Sequence, residues 1–184
     1  MLIINETTKT NKNNDICVFT DGSALNNQSK DKSKTRAGVG VFFGESDKRN
    51  ISFSLNKKKN GKYIYKKTNQ VAEVLAIIMG IETVINTELL KKRKIIIYTD
   101  SMYCINIITK WAKNWEKNSW KKSNGKIVEN IELIKKMYYL AVNLKVRMVH
   151  VKAHKKEPKK DNSSYFTWYG NMMADKLATS ASSK

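Results

Sequence analysis

Apolar and polar positions follow two different periods along this chain, and they mark out its elements. Ile16-Cys17-Val18-Phe19-Thr20 is a short apolar run read as a buried strand over 16–21. Residues 39–44 (VGVFFG) and 51–56 (ISFSLN) read as two more strands. The short polar segment Glu45 to Asn50 between them favours antiparallel pairing. From Asn69 to about Glu88 the period becomes helical, with Val71, Val74, Leu75, Ile78, Ile81, Val84 and Ile85 on one face and Thr68 or Asn69 as the cap. Residues 95–100 predict a strand, followed by short helices between 101 and 122 that Ser101 can cap. A helix is predicted over 127–143, with Ile127, Ile131, Ile134, Met137, Tyr138 and Ala141 on one side. Residues 146–151 form the last strand and 171–180 a closing helix. Lys57 to Lys67 reads as a basic loop, and residues 1–14 as a flexible lead to a single domain over 15–184. The order βββαβααβα predicts an α/β layer fold with a mixed sheet. Sites in such sheets form at the carboxyl ends of parallel strands.

Four carboxylates interrupt this pattern. Asp21 closes the first apolar run, Asp100 closes Ile95 to Thr99, Glu73 lies inside the apolar helix, and Asp175 follows Met172-Met173-Ala174. An acid against a core element costs free energy unless a cation or hydrogen bonds offset it. Singly, Asp21 or Asp175 reads equally well as a cap or a solvated charge. All four together point to bound metal, and oxygen-only ligands favour magnesium or manganese over zinc.

The balance of charge extends this picture. Lys and Arg number 35 against 16 acids, a formal charge of +19. A surface this basic suits a polyanion, nucleic acid first among them, although lysine also simply solubilises. Cys17 and Cys104 sit in apolar surroundings without metal-ligand spacing and are expected as buried thiols in a reducing compartment. The first residues lack the apolar core of a secretory signal, and no apolar run is expected to span a membrane. The chain is therefore expected to be soluble, intracellular and monomeric.

The segments FTDGS (19–23), RAGVGVFFG (36–44), TNQVAE (68–73), YTDSMYCINIITKW (98–111), NWEKNSWKKSNGK (114–126), VHVKAH (149–154) and GNMMADKLA (170–178) together resemble type 1 ribonuclease H. They run in the family's order from Ile16 to Ala178, and the cellular eukaryotic enzymes look most similar. The resemblance implies a ribonuclease H-like α/β fold: a mixed five-stranded sheet, its first three strands antiparallel, flanked by helices. It implies endonucleolytic hydrolysis of the RNA strand of an RNA–DNA hybrid by two magnesium ions, with manganese as a substitute. Asp21, Glu73, Asp100 and Asp175 match the catalytic and metal-binding acids. Asp21 is expected to bridge the ions, Asp100 and Asp175 to hold the one that activates water, and Glu73 the one near the leaving group. His154 matches the family's mobile histidine, which transfers protons and aids product release. His150 is expected to be structural. The separate N-terminal hybrid-binding domain of many such enzymes is expected to be missing.

By the same resemblance the two strands of the substrate are divided. Gly22, Ser23, Asn27, Asn69, Gln70 and Met102 would face RNA, and amides suit a 2′-hydroxyl because they both donate and accept. Tyr103, Trp111, Trp115 and Ser123 would line a DNA channel. Lys66, Thr68 and Asn130 would hold a DNA phosphate. Lys113, Lys117, Lys121, Lys122 and Lys126 resemble the family's basic protrusion, with solvated charge as the alternative. Trp111 and Trp115 are four apart and suit core packing as well as they suit DNA. Trp120 is expected to pack. The sequence departs from the family at Ala153, usually Gly, at Met172, usually Glu, and in a longer loop from Lys155 to Trp168. That loop is expected to reach substrate with its lysines or to form an aromatic mini-core. Two other functions stand beside the enzyme: a non-catalytic hybrid- or RNA-binding module, and a detached reverse-transcriptase-type ribonuclease H domain.

Overall fold

A computed structural model describes residues 15–29, 31, 34–87, 93–153 and 155–184. The expected lead over 1–14 and His154 lie outside the described residues. The strands β1 (Ile16–Leu25), β2 (Arg36–Phe42) and β3 (Ile51–Ser54) form the antiparallel start. The helix α1 (Asn69–Thr87) follows a small two-stranded hairpin, β4 (Lys58–Lys59) and β5 (Lys62–Tyr63). Next come β6 (Ile95–Thr99), α2 (Met102–Asn106), a π-helical segment Ile107–Trp111, α3 (Ala112–Lys117), α4 (Ile131–Asn143), β7 (Arg147–His150) and α5 (Tyr165–Ser182). The main sheet has the order β3-β2-β1-β6-β7, antiparallel across β3-β2-β1 and parallel across β1-β6-β7. This is the mixed five-stranded sheet expected from the sequence.

Side chains alternate across β1, so its two faces meet different partners. Ile16 and Val18 join the large core beneath α1 and α4. Cys17 and Phe19 face α5 and pack with Phe42, Phe166 and Ala174. Both cysteines are buried thiols. Two glycines set how closely the helices approach. A Cβ at Gly40 would fall on the carbonyl oxygen of Ala174 in α5, and one at Gly22 would fall on the backbone nitrogen of Glu73 in α1. Only glycine lets the helices that carry two of the acids lie this close to the sheet.

Several boundaries differ from those predicted. β1 runs past Asp21 to Leu25 because its antiparallel pairing with β2 continues to Leu25–Arg36, whereas its parallel pairing with β6 ends at Thr20–Thr99. Asp21 is therefore inside a strand, yet it and Asp100 both lie one residue beyond the last parallel pair. The basic loop 57–67 contains the β4–β5 hairpin, turned by Asn60 and Gly61 at positive φ, the Asn-Gly pairing such hairpins favour. α4 begins at Ile131, not 127. Ile127 is 65% exposed and bridges to Lys121, while Val128 is buried through the bond from its backbone N–H to the Trp120 carbonyl. α5 begins at Tyr165, which shortens the predicted loop. α1 is long and apolar enough to cross a membrane by length and composition, contrary to the sequence expectation, but its apolar side is the core of the domain.

Candidate active site

Each of the four acids comes from a different element, and they meet at the carboxyl edge of the parallel strands. Asp21 comes from β1, Asp100 follows β6, Glu73 stands one turn inside α1 and Asp175 lies in α5. All four line one cavity of about 630 Å³. Asp21 is buried at 9% exposure. Burial, then the charges of Asp100 and Asp175, push its pKa up to about 8 against the opposing hydrogen bond from the Gly22 backbone, and Glu73 adds a smaller push. Glu73 is also raised, first by burial, with the Ser101 hydroxyl opposing and Asp100 reinforcing.

Glu73 is fixed by two hydrogen bonds. The Asn69 amide donates to one carboxylate oxygen at 2.7 Å and the Ser101 hydroxyl to the other at 2.8 Å. Ser101 also caps α2 by accepting from the Cys104 N–H at 3.2 Å. One serine thus couples the start of α2 to the orientation of Glu73. Asp175 accepts from the Thr179 hydroxyl at 3.4 Å.

A divalent cation suits this arrangement. The donors are carboxylate oxygens, their mutual repulsion is felt at Asp21, and the buried side-chain amide oxygen (Oδ1) of Asn171 on the cavity wall has no hydrogen-bond partner among the described residues. Among the described residues no three His, Cys, Asp or Glu side chains form a ready-made ligand set for one ion. Magnesium does not require one, because it keeps several waters and takes substrate phosphate oxygens alongside one or two carboxylates.

The structure brings some of the other predicted residues to the cavity and leaves others apart. Gly22 and Asn69 line it. Ser23 is instead within 3.3 Å of the Ser182 hydroxyl, and Asn27 lies in the turn after β1. Met102 is exposed. Gln70, Tyr103, Trp111 and Trp115 share a neighbouring groove of about 200 Å³. Trp111 is edge-on to Tyr103 at 6.2 Å and tilted against Trp115 at 5.8 Å. Trp111 is exposed while Trp115 packs on the core, and both line this groove. The π-helical segment ends at Trp111, and such local widening recurs at functional sites. Trp120 packs as expected, edge-on to Tyr138 and Tyr139. Ser123, Lys121 and Lys122 line an outer groove with Trp111 and Trp115, and Lys122 pairs with Glu129 at 3.2 Å. Lys113, Lys117 and Lys126 are exposed. Thr68 caps α1 through the Val71 N–H at 3.2 Å, Lys66 is exposed, and Asn130 precedes α4 at positive φ without a capping bond. His150, expected to be structural, is exposed at the end of β7 and lines the cavity. Sequence reasoning assigned no role to Asn171 or Lys152 on the same wall, and expected Trp168 only as part of the loop's aromatic cluster. A polar Asn in an otherwise small and apolar stretch of α5 was the available signal for the first of these.

A mixed sheet with an oxygen-rich acidic cavity at its parallel edge defines a class of α/β proteins suited to metal-assisted phosphate chemistry. The chain belongs to the RNase H family, whose sequence model matches residues 13–183. It is 36% identical over 167 residues to a ribonuclease H of Schizosaccharomyces pombe, covering 91% of this chain and 53% of that protein. It is 32% identical over 163 residues to ribonuclease H1 of Homo sapiens, covering 89% and 48%. The chain thus spans about half the length of these curated relatives. Among solved structures, a foamy viral protease-reverse transcriptase in complex with dsDNA shares the fold at a TM-score of 0.65 and 22% identity, covering 99% of this chain and 98% of that one.

Proposed function

We propose that this chain hydrolyses the RNA strand of RNA–DNA hybrids with divalent metal ions, magnesium first and manganese as a substitute. The observation that carries the reading is the meeting of Asp21, Glu73, Asp100 and Asp175, from four separate elements, in one cavity. Relatives named ribonuclease H and H1 at 36% and 32% identity support it, and they favour the cellular type over a detached reverse-transcriptase domain. A binding module without catalysis would not need all four acids. Two ions bound here would lower the pKa of an attacking water and offset charge on the attacking and leaving oxygens.

The four carboxylates would hold the ions, and the bonds from Asn69 and Ser101 fix the orientation of Glu73 at the cavity wall. Asn69 and Gln70, at the start of α1, read 2′-hydroxyls in the minor groove of the hybrid. Tyr103, Trp111, Trp115 and Ser123 accept the DNA strand, and Gly22, Ser23, Asn27 and Met102 flank the RNA. Lys66, Thr68 and Asn130 take a DNA phosphate. His154 moves a proton and aids release. We take the protein to be soluble, intracellular and monomeric; burial of the apolar side of α1 in the core fits the first of these.

Chelation by EDTA is expected to stop hybrid cleavage and added magnesium to restore it. Cleavage that survives EDTA would overturn the metal assignment. The lysines of the basic stretch give a second test. Replacing Lys113, Lys117, Lys121 and Lys122 with Ala should weaken hybrid binding and lower its log–log salt slope by roughly 0.7–0.9 for each phosphate no longer neutralised. The share of Lys122 should be smaller because it is paired with Glu129. An unchanged salt slope would show that these lysines only solvate the surface.

A further inference from the structure

A second cavity, of about 270 Å³, opens beside the acidic one. The two share His150, Lys152, Lys155 and Trp168 in their walls, and the second adds Lys156. The acidic cavity and a lysine-lined one therefore adjoin across these residues. Lys152, Lys155 and Lys156 are exposed, and among the described residues none of them is in an ion pair.

The segment that forms this pocket is held in place. The Trp168 indole N–H donates to the Lys155 carbonyl at 2.9 Å, tying the loop to the start of α5. The Val151 N–H donates to the Thr99 carbonyl at 2.9 Å, fixing the other end next to Asp100. Near its far end the loop is closed by the bond from the Tyr165 N–H to the Asn162 carbonyl and by that from the Ser164 N–H to the Asn162 side chain, both at 2.9 Å. The aromatic residues form one cluster, and one of them also faces the cavities. Phe166 and Tyr169 pack on Phe19 and Phe42 of the sheet, whereas Trp168 lines the two cavities. Trp168 also stands against Tyr165 at 5.7 Å, and Tyr165 stacks on Tyr169 at 5.8 Å, so a mini-core accounts for these rings but not for the lysines that line the second cavity.

We propose that this pocket is a phosphate subsite for the strand held in the acidic cavity. Lys152, Lys155 and Lys156 take one backbone phosphate neighbouring the one attacked, and Trp168 holds Lys155 in register with the acids. The proposal rests on the hybrid-nuclease reading and adds to it a binding point on the cut strand. The acidic cavity repels a phosphate until cations fill it, so an adjoining cationic pocket lets the strand settle with less opposition.

The test compares Lys152→Ser, Lys155→Ser and Lys156→Ser, combined in one variant, with the unaltered lysines, both in the Asp100→Asn background so that binding is measured without cutting. Melting temperature is followed alongside to show that the fold is intact. With a long hybrid the salt slope of binding should fall by about 0.7–0.9, the value for one phosphate. Hybrids whose RNA strand is shortened from one end or the other then locate the subsite. The defect should vanish when the strand is truncated from one end only, because one neighbouring phosphate has then been removed. An unchanged slope, or a defect that persists equally with either truncation, would overturn the subsite. Failure of the nuclease reading itself would appear separately, as absence of hybrid cleavage by the unaltered protein.

Discussion

Asp100→Asn is expected to abolish turnover on a hybrid while leaving hybrid affinity near that of the unaltered protein. Asparagine keeps the shape of the side chain but removes one of the charges proposed to hold divalent ions at the edge of β6. Metal stabilisation of developing charge contributes several kcal/mol, and losing about 4 kcal/mol slows a reaction by about 10³-fold. Most of the residues proposed to read the substrate, Gln70, Tyr103, Trp111 and Trp115, line a separate groove, so binding should persist. Single-turnover kinetics in magnesium, with binding measured in parallel, separates the two effects. Near-normal turnover in this variant would show that the acidic cavity is not the catalytic centre.

The second large effect concerns stability without metal. Asp21 has its pKa raised to about 8 by burial and by Asp100 and Asp175, whereas its unperturbed value is 3.8. The folded protein therefore holds this proton more tightly than the unfolded chain does. The associated stability is fully present below about pH 4 and is lost as pH rises through about 8. In EDTA the melting temperature should accordingly fall between pH 5 and 9. Asp21→Asn should flatten that fall, since the neutral amide needs no proton. Each kcal/mol is about 2–4 °C in a domain of this size, so the difference between the two proteins is readily measured. Magnesium should raise the melting temperature of the unaltered protein more at pH 9 than at pH 5, because protons compete with the ion at low pH. Parallel pH profiles for the two proteins in EDTA would contradict the electrostatic description of Asp21.

The four carboxylates were legible because each breaks an apolar pattern, and a buried charge needs a reason. The mixed sheet with its antiparallel start was legible because antiparallel and parallel connections differ in length and content. What the sequence hid depends on packing between distant segments. Tyr165 to Tyr169 reads as part of a loop after Lys155 to Lys160, yet it forms the first turns of α5 because Phe166 meets Phe19 and Tyr98 on the sheet. The extension of β1 beyond Asp21 comes from pairing with Arg36 to Val39 in β2 and is invisible within the strand itself. Ile127 continues the apolar period of α4 but is held outside the helix by its bridge to Lys121. The roles of His150, Lys152 and Trp168 depend on the end of β7 and the start of α5 facing one another across a cavity, which no local spacing reveals.

The central claim is that the acidic cavity cuts RNA only when it is paired with DNA. The most direct measurement incubates the protein and magnesium with a hybrid labelled separately on each strand, alongside duplex DNA and duplex RNA of the same sequence. The account predicts internal cuts in the RNA strand of the hybrid, an intact DNA strand, and no cleavage of either homoduplex. Cutting of the DNA strand, equal cutting of duplex RNA, or an uncut hybrid would contradict it.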